Sequence, residues 1–334
     1  MNTIKHGASQ VVNICLNIKK HEKVCIITDK ETYKIAQAIK EEAKKITENI
    51  TIFTMEDFGK REEIKPLRFP EKIKKYLKNS NVCIYAAGSR KGELETFRQP
   101  MFHIVEKFKV RHAHMNGITE EIMKTGMCTD YGIVRSITKK VYRTVNNAKT
   151  IHVTTQVGTD LTAEFDKDIR WIICDGNITK SKLTNLPDGE VFTCPKNVNG
   201  IAVIDGVIGD CFDKKFGRLK KNPVTLKIVN GRVLKISCEN KNIENELSEH
   251  IKKDKNSNRI GEFAIGTNTG IKKIIGNILQ DEKFPGVHMA IGDSYSEITG
   301  SDWNSSIHSD CVMLNCTVTV DNKKTIMKNS RFIF

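Results

Sequence analysis

Two isolated glutamates, two histidines and an aspartate are spaced along the second half of this chain as the donors of a binuclear metal site would be. They stand in Gly189-Glu190-Val191-Phe192, Gly261-Glu262-Phe263-Ala264, Val287-His288-Met289-Ala290-Ile291-Gly292 and Ile307-His308-Ser309-Asp310. Each sits in an apolar or glycine-flanked stretch, where a lone charge is costly to bury unless something pairs with it. A divalent ion pairs with several such groups at once. Carboxylate oxygen with imidazole nitrogen suits zinc, cobalt, manganese or iron. His308 and Asp310 are two apart in a strand-like run, so both project from one face. His288 is the single polar residue of an apolar strand, and Glu190 and Glu262 each head a short strand. Taken singly, each has an ordinary reading as a hydrogen-bonded core histidine or a solvated strand-edge carboxylate. Together they supply bridging carboxylates, terminal imidazoles and an open position for water, while a second ion can anchor a substrate amine or carbonyl. Glu262 or Glu190 is the expected proton acceptor, and Tyr295, seven residues after His288, the expected donor to a developing oxyanion.

Such residues need strands to carry them, and residues 150–334 read that way. Short strands and turns follow one another at Ile151–Thr155, Asp160–Phe165, Val191–Thr193, Gly200–Asp205, Val224–Val229, Arg232–Ser237, Gly261–Ile265, Val287–Ile291 and Val312–Val320. Asn230-Gly231 is a type I′ hairpin signal, and one helix, Ile243–Lys252, interrupts the series. A mostly antiparallel β domain, barrel-like or a closed sandwich, is expected to hold the metal. Residues 1–149 alternate instead. Apolar runs at Val24–Asp29, Ile50–Met55 and Val82–Ala87 are separated by helices at Thr3–Lys19, Glu31–Ile46, Pro70–Asn79 and Glu93–Phe108, with Thr119–Met127 and Tyr131–Asn146 closing the series. That is the pattern of an α/β domain, an open parallel sheet with helices on both faces. No glycine-rich phosphate loop follows any of its strands, so no nucleotide site is expected. His112 and His114 share the two-residue spacing near the end of this region, where α/β clefts form. Packing is their commoner role, with substrate contact the alternative.

The balance of residues fits a soluble globular protein, and the cysteines fit a reducing cytoplasm. The chain has 334 residues, of which 39% are hydrophobic and 28% charged, as in a soluble globular protein of two domains. No apolar stretch is long enough for a signal peptide core or a membrane span. Ten cysteines are scattered without metal-binding spacing, mostly inside apolar runs, which suits buried free thiols; Cys194 and Cys311 read as small core fillers. The net charge of +14 is concentrated in residues 1–150, but the lysines fall on helical faces and no nucleic-acid-binding motif accompanies them. A solvated surface is expected, with neither a nucleic acid nor a membrane as partner.

Several runs resemble the aminopeptidase T/aminopeptidase S family of metallopeptidases, often labelled leucyl aminopeptidases. They are Gly158-Thr159-Asp160-Leu161-Thr162, Asn185 through Pro195, Gly261 through Asn268, His288 through Tyr295, and His308-Ser309-Asp310, in order over about residue 110 to the C-terminus. The resemblance implies an N-terminal α/β domain followed by a β-rich metal domain, a homodimer, and hydrolysis of an N-terminal peptide or amide bond in a small substrate. It also implies that Glu190, Glu262, His288, Tyr295, His308 and Asp310 are the metal-site residues, holding two zinc, cobalt or manganese ions. Two features depart from the typical family member. The chain is shorter, chiefly in the N-terminal domain and between Tyr295 and His308, and Gln280-Asp281-Glu282-Lys283 looks like a short branch of the superfamily. A relative of that size, 2,5-dihydroxypyridine 5,6-dioxygenase, uses one iron(II) held by two histidines and a carboxylate, a triad that His288, His308 and Asp310 could form. The presence of both glutamates favours the hydrolase. A third expectation is non-enzymatic, a metal that only holds the fold.

Overall fold

The computed structural model describes residues 3–178, 183–209 and 212–334. They form two compact units, Met1–Gly132 with Asp175–Asp188, and Ile133–Cys174 with Gly189–Phe334.

The first unit is built on a five-stranded parallel sheet in the order Ile50–Thr54, Val24–Thr28, Val82–Ala87, Arg111–Asn116 and Leu183–Asn185. Two inner strands, Val24–Thr28 and Val82–Ala87, are buried at every position. Continuous burial follows when helices cover both faces of a parallel sheet. Helices Tyr33–Ala43, Glu71–Leu77 and Gln99–Lys107 supply that cover in the expected places. The edge strand Leu183–Asn185 was not expected, because three residues carry no readable period. The guanidinium of Arg61, 4% exposed, ties two strand ends together. It donates to Glu93 Oε1 at 2.7 Å and to the Gly88 carbonyl at 2.6 Å, and it pairs with Asp29.

The second unit has two antiparallel sheets sharing one core. The larger runs Arg232–Ser237, Val224–Val229, Asn197–Ile204, Asp160–Glu164, Thr150–Thr154, Thr317–Val320, Lys324–Lys328 and Arg331–Phe332. The smaller runs His308–Met313, Gly286–Gly292, Ile260–Gly266, Glu190–Thr193 and Ile172–Cys174. Asn230 and Gly231 both take positive φ, +51° and +70°, as a type I′ hairpin requires. The single strand expected at Val312–Val320 is instead two. Leu314-Asn315-Cys316 breaks it, with Asn315 at φ +53°, so His308–Met313 pairs in the smaller sheet and Thr317–Val320 in the larger. Among the described residues, no helix is long and apolar enough to cross a membrane.

Candidate metal centre

Beyond an irregularity between Ile260 and Glu262, the smaller sheet separates its central residues by parity. Val191, Phe263, Ile265, Val287, Met289, Ile291, Cys311 and Met313 are at most 1% exposed and belong to the core cluster shared with the larger sheet. Their even-numbered neighbours occupy the other face, since side chains alternate along a strand. The register aligns that second face across strands. Glu262, Ala290 and Asp310 stand opposite one another; His288 stands opposite Ala264, Glu190 opposite Gly266, and His308 opposite Gly292. Directly opposed residues of antiparallel strands share a face. Four strands thus deliver five ionisable groups to one surface, with alanine and glycine between them leaving space above the sheet.

Glu262 is the centre of this arrangement. Its Oε1 lies 3.4 Å from His288 Nε2, and its Oε2 lies 3.4 Å from His308 Nε2. On the first side, Glu190 Oε2 is also 3.4 Å from His288 Nε2; on the second, Asp310 Oδ1 is 3.4 Å from His308 Nε2. Two groups of donor atoms result, Glu190–Glu262–His288 and Glu262–His308–Asp310, each lying within 4.8 Å of one another. The two histidines fall in different groups. These separations exceed an ordinary nitrogen–oxygen hydrogen bond of about 2.9 Å. They match the about 3.4 Å between two donors that are each about 2.1 Å from a tetrahedrally held ion. Glu190 Oε2 is moreover buried without a hydrogen-bond partner, a costly state for a carboxylate oxygen unless a cation takes it. The donor set therefore fits a divalent cation in either group, with Glu262 common to both.

The surroundings sharpen the geometry. His308 Nδ1 is 3.0 Å from the Asp293 carbonyl oxygen, which turns Nε2 toward Glu262 and Asp310. The Tyr295 ring lies tilted, 4.3 Å from that of His308, and edge-on, 6.0 Å from that of Phe192. It holds φ +49°, a left-handed conformation uncommon for a tyrosine, and its N–H donates to Asp293 Oδ2 at 3.2 Å. Glu190, Glu262 and His288 are at most 6% exposed, whereas the side chains of His308 and Asp310 are 17% and 15% exposed. The second group is the more open end, and Tyr295 stands beside it.

Charges within the set shift one another strongly. His288 is pushed up to about 10 against the desolvation that would lower it, by Glu190 and Glu262. His308 is raised too, also against desolvation, by Tyr295, Asp310 and Glu262. Glu190 is held down to about 2, despite burial, by Lys283 and His288. Glu262 and Asp310 are likewise lowered against desolvation by the histidines.

Two residues without any signal in the sequence also belong here. Lys283 Nζ lies 2.6 Å from Glu190 Oε1 and 2.8 Å from Glu282 Oε1. Burial pushes the Glu282 carboxyl up to about 8, with Lys283 opposing. Gln280-Asp281-Glu282-Lys283 is polar throughout and reads as surface, yet every one of its residues is buried. His112 and His114 lie in the first unit's sheet, where His112 Nε2 is 3.2 Å from His114 Nδ1 and Tyr85 stacks on His114. Burial pushes His112 down to about 3, so it is a neutral packed side chain. Cys311 belongs to the second unit's core cluster, and Cys194 is buried.

Comparison with known proteins bears on this centre. The profile of the family described as thermophilic metalloprotease (M29) matches residues 133–327, more than half the chain. No curated protein matches the sequence significantly. Among solved structures, 2,5-dihydroxypyridine dioxygenase from Pseudomonas putida KT2440 is 14% identical with a TM-score of 0.72, over 99% of this chain and 96% of that one. Wild-type AmpT from Thermus thermophilus is 16% identical with a TM-score of 0.71, over 99% of both chains. At such identities the likeness is one of fold.

Proposed function

Because the chain belongs to the thermophilic metalloprotease family M29, we propose that it is a metal-dependent aminopeptidase removing the N-terminal residue of a small peptide or amide. The observation that carries the reading is the double engagement of Glu262, one oxygen toward each histidine-bearing donor group. Glu190, Glu262 and His288 would hold one ion, and Glu262, His308 and Asp310 the other, with zinc, cobalt or manganese as the candidates. When bound, such ions supply Lewis acidity and a water of lowered pKa. The residues do the rest. A carboxylate of the set, Glu262 or Glu190, would orient the attacking water or take its proton, Tyr295 would donate to the oxygen that becomes negative, and the ring pair Phe192–Tyr295 would border the open end where a substrate enters.

The rival reading is a mononuclear iron(II) dioxygenase using His288, His308 and Asp310. It is favoured by the shared fold alone, and the placement of the histidines in separate donor groups weighs against it. Metal analysis together with turnover separates the two. Two ions per chain and release of an amino acid from a dipeptide are expected. One iron per chain and oxygen uptake with 2,5-dihydroxypyridine would overturn the hydrolase. We also infer a homodimer with the strands between Gly261 and Val320 near its two-fold axis; a strict monomer in sedimentation at micromolar concentration would count against it.

A further inference from the structure

Lys283 has no task in the reading above, yet it is built into the metal centre. It is 1% exposed. Its N–H donates to the Gln280 carbonyl at 3.0 Å, and its own carbonyl accepts the Asn268 N–H at 2.9 Å. The loop before it is closed by Asp281, whose carboxylate accepts the N–H groups of Ile275, Gly276 and Asn277 at 2.7–3.1 Å. The segment after it is pressed onto the strand Ile260–Gly266. A Cβ added at Gly266 would meet the Phe284 carbonyl oxygen at 2.0 Å and that of Glu282 at 2.9 Å. Gly266 is in turn the register partner of Glu190. The backbone therefore fixes Lys283 and Glu190 against the same strand end.

The consequence falls on Glu190. Its Oε1 is taken by the ammonium at 2.6 Å, which leaves Oε2, buried and without a hydrogen-bond partner, beside His288. A carboxylate free at both oxygens could rotate or bind an ion through both. We propose that Lys283 is a positioning residue for the metal centre: it holds Glu190 by one oxygen, so that the other is offered to the ion shared with Glu262 and His288. This rests on the two-ion reading and adds to it a rule for how one ligand is presented.

Calorimetric titration of chelator-stripped protein with Mn²⁺ tests it. Wild-type protein should take two ions per chain. Lys283→Met should weaken one of them by about 10–100-fold, as loss of a group that orients a ligand does, and leave the other at wild-type affinity. Glu190→Gln should produce the same selective loss. The double variant should be no worse than Glu190→Gln alone, because a residue acting through Glu190 then has nothing left to position. Should Lys283→Met not fold, Lys283→Gln, which is shorter and uncharged, should weaken the same ion by a smaller factor and leave the other at wild-type affinity. Equal weakening of both ions, unchanged binding, or additive losses in the double variant would overturn the proposal. If wild-type protein takes a single ion, the two-ion reading fails, and non-additivity on that ion still decides the role of Lys283.

Discussion

At the scale of single residues, Glu262 is the side chain on which most depends. Glu262→Gln keeps the volume but removes the proton acceptor, and turnover should fall by at least the about 10²–10⁴-fold typical of lost acid–base function. The assay is release of the N-terminal amino acid, read beside the metal content. A variant that retains activity would sink the assignment. Protons provide a second test. In metal-stripped protein His288 titrates at about 10, above its ordinary 6.5, and Glu190 at about 2, below its ordinary 4.5. The raised histidine stabilises the stripped fold fully below 6.5, and that contribution is lost as pH rises through about 10. The lowered carboxylate stabilises it above 4.5, and that is lost as pH falls through about 2. Metal binding must displace protons from both imidazoles, so affinity should climb from pH 6 to pH 9 and binding should release protons. Calorimetric enthalpies that do not vary with the ionisation enthalpy of the buffer would contradict this.

At the scale of elements, the strand Gly286–Gly292 has a different task on each face. Ala290 lies between Glu262 and Asp310 in the register, so Ala290→Leu should crowd the donors and reduce metal affinity, with an overpacking cost of about 1–3 kcal/mol. Met289, next along the chain, points into the core and is 0% exposed. Met289→Ala should instead cost about 2–5 kcal/mol of stability through the cavity it leaves, with metal binding retained. Denaturant melts and metal titrations on the two variants read the two faces separately. Equal loss of metal from both would mean that the faces are not independent.

At the scale of the whole molecule, the ions should also hold the second unit together, because four of its strands meet at them. Binding that favours the folded state stabilises it by about 2.7 kcal/mol per site at about one hundred times Kd. For a unit of this size that is roughly 5–10 °C in melting temperature. A chelator that removes both ions should lower the melting of the second unit by about twice that, roughly 10–20 °C, and leave the first unit's transition in place, checked by differential scanning calorimetry. A chelator-insensitive melt would argue that the donors bind no ion.

The residue types and short spacings already carried much of this chemistry. His308-Ser309-Asp310, the lone His288 and the strand-head glutamates Glu190 and Glu262 were readable because strand period 2 dictates which residues share a face, whatever the strand pairs with. The alternation of apolar runs and helices in the first half was readable for the same local reason. Pairing is not local. That His288 faces Glu190 and Glu262, while His308 faces Glu262 and Asp310, follows from which strands adjoin and in what register, and residues up to 98 positions apart decide it. The break at Asn315 and the three-residue edge strand Leu183–Asn185 were settled by the sheets they join, since neither has a pattern of its own. Lys283 shows the limit most plainly. A lysine in a polar run gives no sign of burial, and only the close approach of its loop to Gly266 places its charge against Glu190.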